Sequence, residues 1–383
     1  MTKTDLMLYV HIPFCARKCH YCDFLSGVYS KEIRTRYLSA LQEEIRQRGL
    51  SLRERSISSV FFGGGTPSLL ETEELAQIMR QIKCSMMLSE HAEITMECNP
   101  GTADFEKLKG YRELGINRLS IGVQSADNAE LRLLGRIHTW EQFLEIYSLA
   151  RKADFDNVNV DLISALPGQS TENWERNLRS VLSLTPAPEH ISAYSLILEE
   201  GTDFWEWKEQ GKFQGSLVLP TEEQDREMYH LTREVLEEAG YQKYEISNYA
   251  RPGYECRHNM GYWTRRDYLG VGLGAASLIG DHRYKNTEDL SAYLENPLAD
   301  REEQKLSKSE EMEETMFLGL RRCKGVSKKE FQDRFSESIN RIYADVIAKN
   351  VRDGLLLERD DLICLTDKGM DLSNYVSAQF LLT

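Results

Sequence analysis

Three cysteines fall within eight residues near the N-terminus, in the stretch YVHIPFCARKCHYCDF from Tyr9 to Phe24. Cys15, Cys19 and Cys22 are spaced C-x3-C-x2-C, directly after an apolar run. Thiolates at that spacing on one loop can converge on a metal centre, and iron–sulfur clusters are held mainly by cysteine thiolates. Three protein ligands would leave one iron open to a substrate or cofactor. Zinc is the rival: a structural zinc ion takes four N or S ligands, and His11 or His20 could supply the fourth. Three thiols packing as small hydrophobes is the plainest alternative. Among these, the paired spacing favours the cluster.

Composition narrows the setting. The chain has 383 residues, 41% of them hydrophobic, enough for one large domain and a smaller one. Lys and Arg number 47 against 61 Asp and Glu, a net charge of -14, which speaks against nucleic acid as the main partner. No stretch approaches the roughly 18 apolar residues of a membrane helix, and no secretory signal is legible. A cytoplasmic protein is expected, where thiols stay reduced and close cysteine spacing points to metal binding rather than disulfides.

The cysteines need a scaffold. Short β-type runs (MLYVHI, SSVFFGG, AEITMEC, NRLSIGV, NVNVDLIS, HISAYSL) alternate with helical patterns over the first half of the chain. Such alternation predicts an α/β fold with a parallel sheet covered by helices. Six units are too few for a closed eight-fold barrel, so a partial barrel or a doubly wound sheet is expected. In either, sites lie at the C-terminal ends of strands, where the cysteine triplet, GGGTP and ECNP all fall. After about residue 200 the alternation fades. The tail is mostly helical and ends in GLLLERDDLICLTDKG, two short apolar runs around an acidic turn, read as a winged-helix-like unit. The expected division is 1–240 for the barrel, 241–304 for an extension, and 305–383 for the helical C-terminal domain. A winged-helix regulator is the rival from another class, and the acidic charge weighs against it.

The cysteine triplet after a first strand resembles the radical S-adenosylmethionine (SAM) superfamily. More narrowly, YVHIPFC, FFGGGTPS, ECNP, SIGVQS, LLGRIH and DLISALPGQ are together similar to the HemN-type branch. The resemblance implies a partial (β/α)6 barrel and a 4Fe–4S cluster on Cys15, Cys19 and Cys22, with SAM on the open iron. It also implies a SAM site. Gly64, Gly65 and Thr66 would bring bare backbone to the ligand. Glu97 and Asp161 would accept from ribose hydroxyls and Gln124 would both donate and accept. Arg136 would offer its fork to the methionyl carboxylate. Tyr9 is carried over from the first strand.

Two features separate members of that branch. The coproporphyrinogen III dehydrogenases continue the triplet with a further cysteine, whereas Cys22 is followed here by Asp23 and Phe24. And CRHNMGYW resembles the HNxxYW motif of the HemW haem chaperones, in His258, Asn259, Tyr262 and Trp263. An imidazole can ligate haem iron, Cys256 ranking below it, and aromatic faces suit a porphyrin. The following YLGVGLGAAS is small enough to admit a planar ligand against the backbone. The resemblance therefore implies haem transfer to haem-accepting respiratory proteins rather than porphyrinogen decarboxylation. With it come peripheral delivery at a membrane without a membrane span, and a homodimer. A catalytic radical SAM enzyme, an oxidase or a methyltransferase, is the alternative. Whether SAM is cleaved is open.

Overall fold

The computed structural model describes residues 5–299 and 302–382. All six expected strands are present: β1 (Asp5–Ile12), β2 (Ser56–Gly64), β3 (Met87–Cys98), β4 (Arg118–Gln124), β5 (Val158–Ser164) and β6 (His190–Ser195). Between them lie α1 (Lys31–Leu52), α2 (Thr72–Ser85), α3 (Phe105–Leu114), α4 (Asn128–Leu133), α5 (Trp140–Lys152) and α6 (Thr171–Leu182). Local chemistry sets their limits. The Ser30 hydroxyl caps α1, a Glu71/Glu74 capping box opens α2, and Gly115 closes α3 in the left-handed region.

The six strands pair in parallel and in chain order, each joined to the next through a helix. Their outward residues, such as Leu119, Ile121 and Val123 on β4 and Val158, Val160 and Leu162 on β5, are buried in one core with the helices. The inward residues are mostly polar: Glu93, Thr95 and Glu97 on β3, Arg118 and Ser120 on β4, Asn159 and Asp161 on β5. A packed apolar shell thus surrounds a polar lumen.

Past β6 the chain stays with this sheet as far as residue 305. After α7 (Asp203–Glu209) and α8 (Glu222–Glu238), β7 (Gln242–Lys243) and β8 (Asn248–Ala250) extend the β6 edge antiparallel. Beyond α9 (Arg257–Trp263), β9 (Tyr268–Val271) pairs parallel to β1, so seven consecutive strands run parallel among the described residues. Then β10 (Ala276–Ile279), β11 (His282–Lys285) and, after α10 (Leu290–Glu295), β12 (Glu302–Lys305) finish that edge antiparallel. The extension expected over 241–304 is therefore woven into both edges of the main sheet. Four-residue strands give too little pattern to be legible beforehand.

The C-terminal part has its own core, built on α11 (Lys308–Gly319) and α12 (Lys328–Phe335) with Met316, Phe331, Phe335 and Ile363. A three-stranded antiparallel sheet completes it: β13 (Val326–Ser327), β14 (Leu356–Arg359) and β15 (Leu362–Leu365), the last two flanking the acidic turn. Arg265, buried just after α9, joins this unit to the barrel through Glu311 at 2.9 Å and Glu314 at 2.8 Å. Among the described residues no helix is long and apolar enough to cross a membrane.

Candidate functional site

A cavity of about 480 Å³ opens at the C-terminal ends of the strands and runs down the lumen. Cys15, Cys19 and Cys22 form part of its wall, on the loop between β1 and α1. That loop is held against the β2 end by backbone bonds. Gly65 donates to the Ile12 carbonyl at 2.8 Å and Thr66 to the Phe14 carbonyl at 2.7 Å. A side chain at Gly65 would lie 2.7 Å from the Phe14 oxygen and 3.1 Å from Cys15 Sγ, so only glycine permits this approach. Gly64 has φ of 113°, and a Cβ there would run into the His11 ring.

The sulfurs have polar neighbours suited to thiolates. The Thr66 hydroxyl donates to Cys15 Sγ at 3.7 Å and Arg136 Nη1 to Cys19 Sγ at 3.6 Å. Burial pushes the Cys22 thiol up to about 11. Among the described residues no three His, Cys, Asp or Glu side chains converge closely enough to hold a single metal ion. The triplet shares a wall rather than a point. His20, the zinc candidate beside Cys19, instead gives Nδ1 to Asp203 at 2.6 Å and packs on Trp207. His11 is likewise engaged, by the Tyr9 hydroxyl and the Leu25 carbonyl.

Gly64, Gly65, Thr66, Glu97, Gln124, Arg136 and Asp161 all line the same cavity. Glu97 accepts from the Gly64 amide at 3.1 Å. Burial first, and then the charge of Asp161, push its carboxyl up to about 8. Asp161 is also raised by burial, although Asn159 at 2.8 Å and Ser120 at 3.1 Å donate to it. Such a carboxyl pair can accept from hydroxyl donors, and a cation arriving beside it would favour loss of the proton. Gln124 has φ of 71°, rare for a non-glycine residue, at a shift in the β4–β5 register. That kink turns its amide into the cavity. Arg136 gives Nη2 to Asn99 at 2.7 Å and to the Gly122 carbonyl at 2.6 Å. Tyr9 departs from this group. It lines an adjoining cavity of about 490 Å³ with His11, Leu273, Gly274, Ala275 and Ala276, bounded in common by Asp23, Phe24, Gly64 and Glu97.

The HNxxYW residues do not act as one face. Residues four apart share a side of α9. His258 and Tyr262 turn into the packed interior, while Asn259 alone lines the cavity. The His258 ring is buried beside Phe61, with Nδ1 on the Ser59 hydroxyl at 2.8 Å and Nε2 on the Tyr262 hydroxyl at 3.1 Å. Burial, and then the charge of Arg118, lower its pKa to about 3, so the ring is neutral. Trp263 stacks under Arg321 of the C-terminal unit. In this conformation the two-turn helix therefore shows Asn259 to the cavity, His258 and Tyr262 to the interior and Trp263 to the C-terminal unit. Cys256 is no free ligand either: it is buried, faces Glu93 at 3.6 Å, and burial pushes its thiol up to about 12. In YLGVGLGAAS, Gly270 is used up by the close approach of β9 to β10, where a Cβ would run into the Ala276 carbonyl oxygen.

Several lining residues went unpredicted: Asn99, Arg118, Ser120, Asn159, Ser192 and Tyr194. Their signal was available as alternation. In NRLSIGVQ the residues Arg118, Ser120, Gly122 and Gln124 share one face, and in VNVDLIS so do Asn159 and Asp161. A strand polar on one face and apolar on the other, between helices, marks a lumen rather than a sheet buried on both sides.

The Radical SAM superfamily model matches residues 9–181, and the HemN C-terminal domain model matches residues 306–372. The heme chaperone HemW of Lactococcus lactis is 36% identical over 376 residues, covering 98% of this chain and 97% of that protein. The heme chaperone HemW of Bacillus subtilis is 37% identical over 381 residues, covering 97% and 98%. Among solved structures, coproporphyrinogen III oxidase (HemN) from Escherichia coli, a radical SAM enzyme, matches with a TM-score of 0.85 at 25% identity, over 99% of this chain and 90% of that one.

Proposed function

From the premise that this chain belongs to the heme chaperone HemW family, within the radical SAM superfamily, we propose that it binds haem and hands it to haem-accepting proteins. The observation that carries this is full-length likeness to haem chaperones in a chain whose triplet lacks the further cysteine. Phe24 stands two residues beyond Cys22 and is 59% exposed at the cavity mouth.

The donor set fits the cofactors that the family implies. Cys15, Cys19 and Cys22 would hold a 4Fe–4S cluster, with the Thr66 hydroxyl and Arg136 as donors to sulfur. SAM would lie along Gly64, Gly65, Glu97, Gln124, Asp161 and Arg136, with Tyr9 at the adjoining cavity. When bound, the pair supplies one-electron chemistry; transfer of haem requires no radical product, so cluster and SAM would gate the cargo. The chain's own part would be to accept from the ribose hydroxyls at Glu97 and Asp161 and to offer the Arg136 fork to the methionyl carboxylate.

Haem binding is assigned to the α9 region. Iron ligation by His258 requires α9 to release the imidazole from Ser59 and Tyr262, so loading would be coupled to a rearrangement of that helix. Acceptors would be respiratory haem proteins, reached at the membrane periphery and by a homodimer. A catalytic reading, with porphyrinogen as substrate, is favoured only by the likeness to HemN.

The test is a haem titration of anaerobically reconstituted protein, followed by Soret absorbance, with porphyrinogen turnover assayed in parallel. Stoichiometric binding that weakens at least about tenfold in His258→Ala, without decarboxylation, is expected. SAM cleavage that depends on a porphyrinogen, with no specific haem binding, would replace this function by the catalytic one.

A further inference from the structure

At the bottom of the lumen, where β4 begins, the Arg118 side chain is only 2% exposed yet lines the cavity. Its Nε has no hydrogen-bond partner, and the guanidinium forms no ion pair within 4 Å among the described residues. Burial works against its charge, but the nearby Glu93 and Asp161 outweigh that and keep the guanidinium cationic; what it lacks is a hydrogen-bonded partner, which is costly for a buried polar group. The neighbouring carboxylates are occupied elsewhere. Glu93 accepts from the amides of Arg257 and His258, each at 3.0 Å, and Asp161 from Asn159 and Ser120. The other cations of the wall are placed differently. Arg136 has its Nη atoms on Asn99, Gly122 and Cys19, and Arg17 and Lys18 sit on the cysteine loop, Lys18 donating to the Phe24 carbonyl at 2.9 Å. From α9, Asn259 faces the same cavity, and its amide carries no hydrogen bond among the described residues.

We propose that Arg118 and Asn259 form an anchor for a carboxylate group carried into the cavity by its ligand. A planar guanidinium fork matches a carboxylate in two parallel hydrogen bonds, and the Asn259 amide adds a donor from the second wall. A single negative charge is preferred over a phosphate dianion, because Glu97 and Asp161 already supply carboxyls to the same lumen. On the haem-chaperone function, on which this rests, the carboxylate is a propionate of the porphyrin. The methionyl carboxylate of SAM is the other source with the same chemistry. Anchoring would tie the cargo to α9 through Asn259, next to the imidazole that α9 keeps covered.

Anaerobically reconstituted Arg118→Gln and Asn259→Ala proteins, beside the unaltered one, would be titrated with haem, with haem dimethyl ester and with SAM. Asn259→Ala, at a partly exposed position, guards against a folding defect of the buried variant, and cluster content reports fold in each. Haem affinity is expected to fall about 10- to 100-fold in Arg118→Gln and less in Asn259→Ala. The ester should bind the unaltered protein more weakly and be indifferent to both changes, with SAM unaffected. Loss of SAM affinity alone would support the anchor and identify the methionyl carboxylate as its occupant. Equal loss for haem and ester, or no change for any ligand, would overturn the anchor while leaving haem binding intact. Failure of the unaltered protein to bind haem would remove the chaperone function, with the anchor then judged by the SAM titration.

Discussion

The cysteine loop and helix α9 were both marked by short motifs, and the fold treats them in opposite ways. On the loop, Cys15, Cys19 and Cys22 line a cavity, and the Cys15 and Cys19 sulfurs receive hydrogen bonds. On α9, the imidazole of His258 is closed in, with a hydroxyl on each ring nitrogen. The loop is held by backbone bonds to Ile12 and Phe14, which leave its three thiols out of the framework. The helix is fixed in part through the His258 imidazole itself, while Asn259 carries no such contact. A donor atom fixed by main-chain contacts is ready for a ligand; one that is itself a structural contact must be released first.

The sharpest break of this contrast lies in the loop. Cys19→Ser should abolish the iron–sulfur chromophore and the iron content, while the far-ultraviolet circular dichroism and thermal melt stay near those of the unreconstituted protein. The hydrogen bonds from the Gly65 amide to the Ile12 carbonyl and from the Thr66 amide to the Phe14 carbonyl do not pass through the thiols, so the loop should keep its path. A melt lowered as much as by a core substitution would mean that the thiols pack the fold, and the contrast would collapse.

Sequence patterning reached the barrel because its strands and helices are long, and each carries its own period. The edge strands of two to four residues were beyond it, and so was β9 running parallel to β1, because pairing of distant segments leaves no local trace. In the site, the motif residues of the cavity wall were legible from type and order, whereas Arg118, Asn159 and Ser192 lie on the same strands outside any quoted motif role and were passed over. His258 was legible as a chemical group, but its availability was not. That depends on Ser59, 199 positions away in the chain, and on the turn of a helix only seven residues long.

Within the cavity wall, Glu97 sharpens the contrast by titration. Burial, and then the charge of Asp161, push its carboxyl from the ordinary 4.5 up to about 8, against the pull of the Gly64 amide, which lowers it. The folded chain therefore holds a proton that the unfolded chain has lost between those two values. With more protons bound in the folded state, stability declines as pH rises through that window. A cationic ligand prefers the ionised carboxyl, so SAM affinity should increase with pH, by up to about tenfold per unit below pH 8, with uptake of ligand releasing a proton. Calorimetry in buffers of different ionisation enthalpy measures that proton. Glu97→Gln should flatten both profiles; a slope that persisted in the variant would assign the titration to Asp161.

The smallest change tests the covered side. Tyr262→Phe removes the hydroxyl from His258 Nε2 and nothing else from the ring's packing, since the two rings meet edge to face at 4.9 Å. Losing one hydrogen bond of about 1 kcal/mol makes the released imidazole about fivefold more populated. If His258 is the axial ligand, haem should bind about fivefold more tightly, with an unchanged Soret position for the bound form. If the ring is only a strut, the same substitution should lower the thermal midpoint slightly and leave haem affinity where it was. Affinity and stability then move in opposite directions only when the helix must open to bind. That separates a ligand kept under cover from a residue that is simply part of the core.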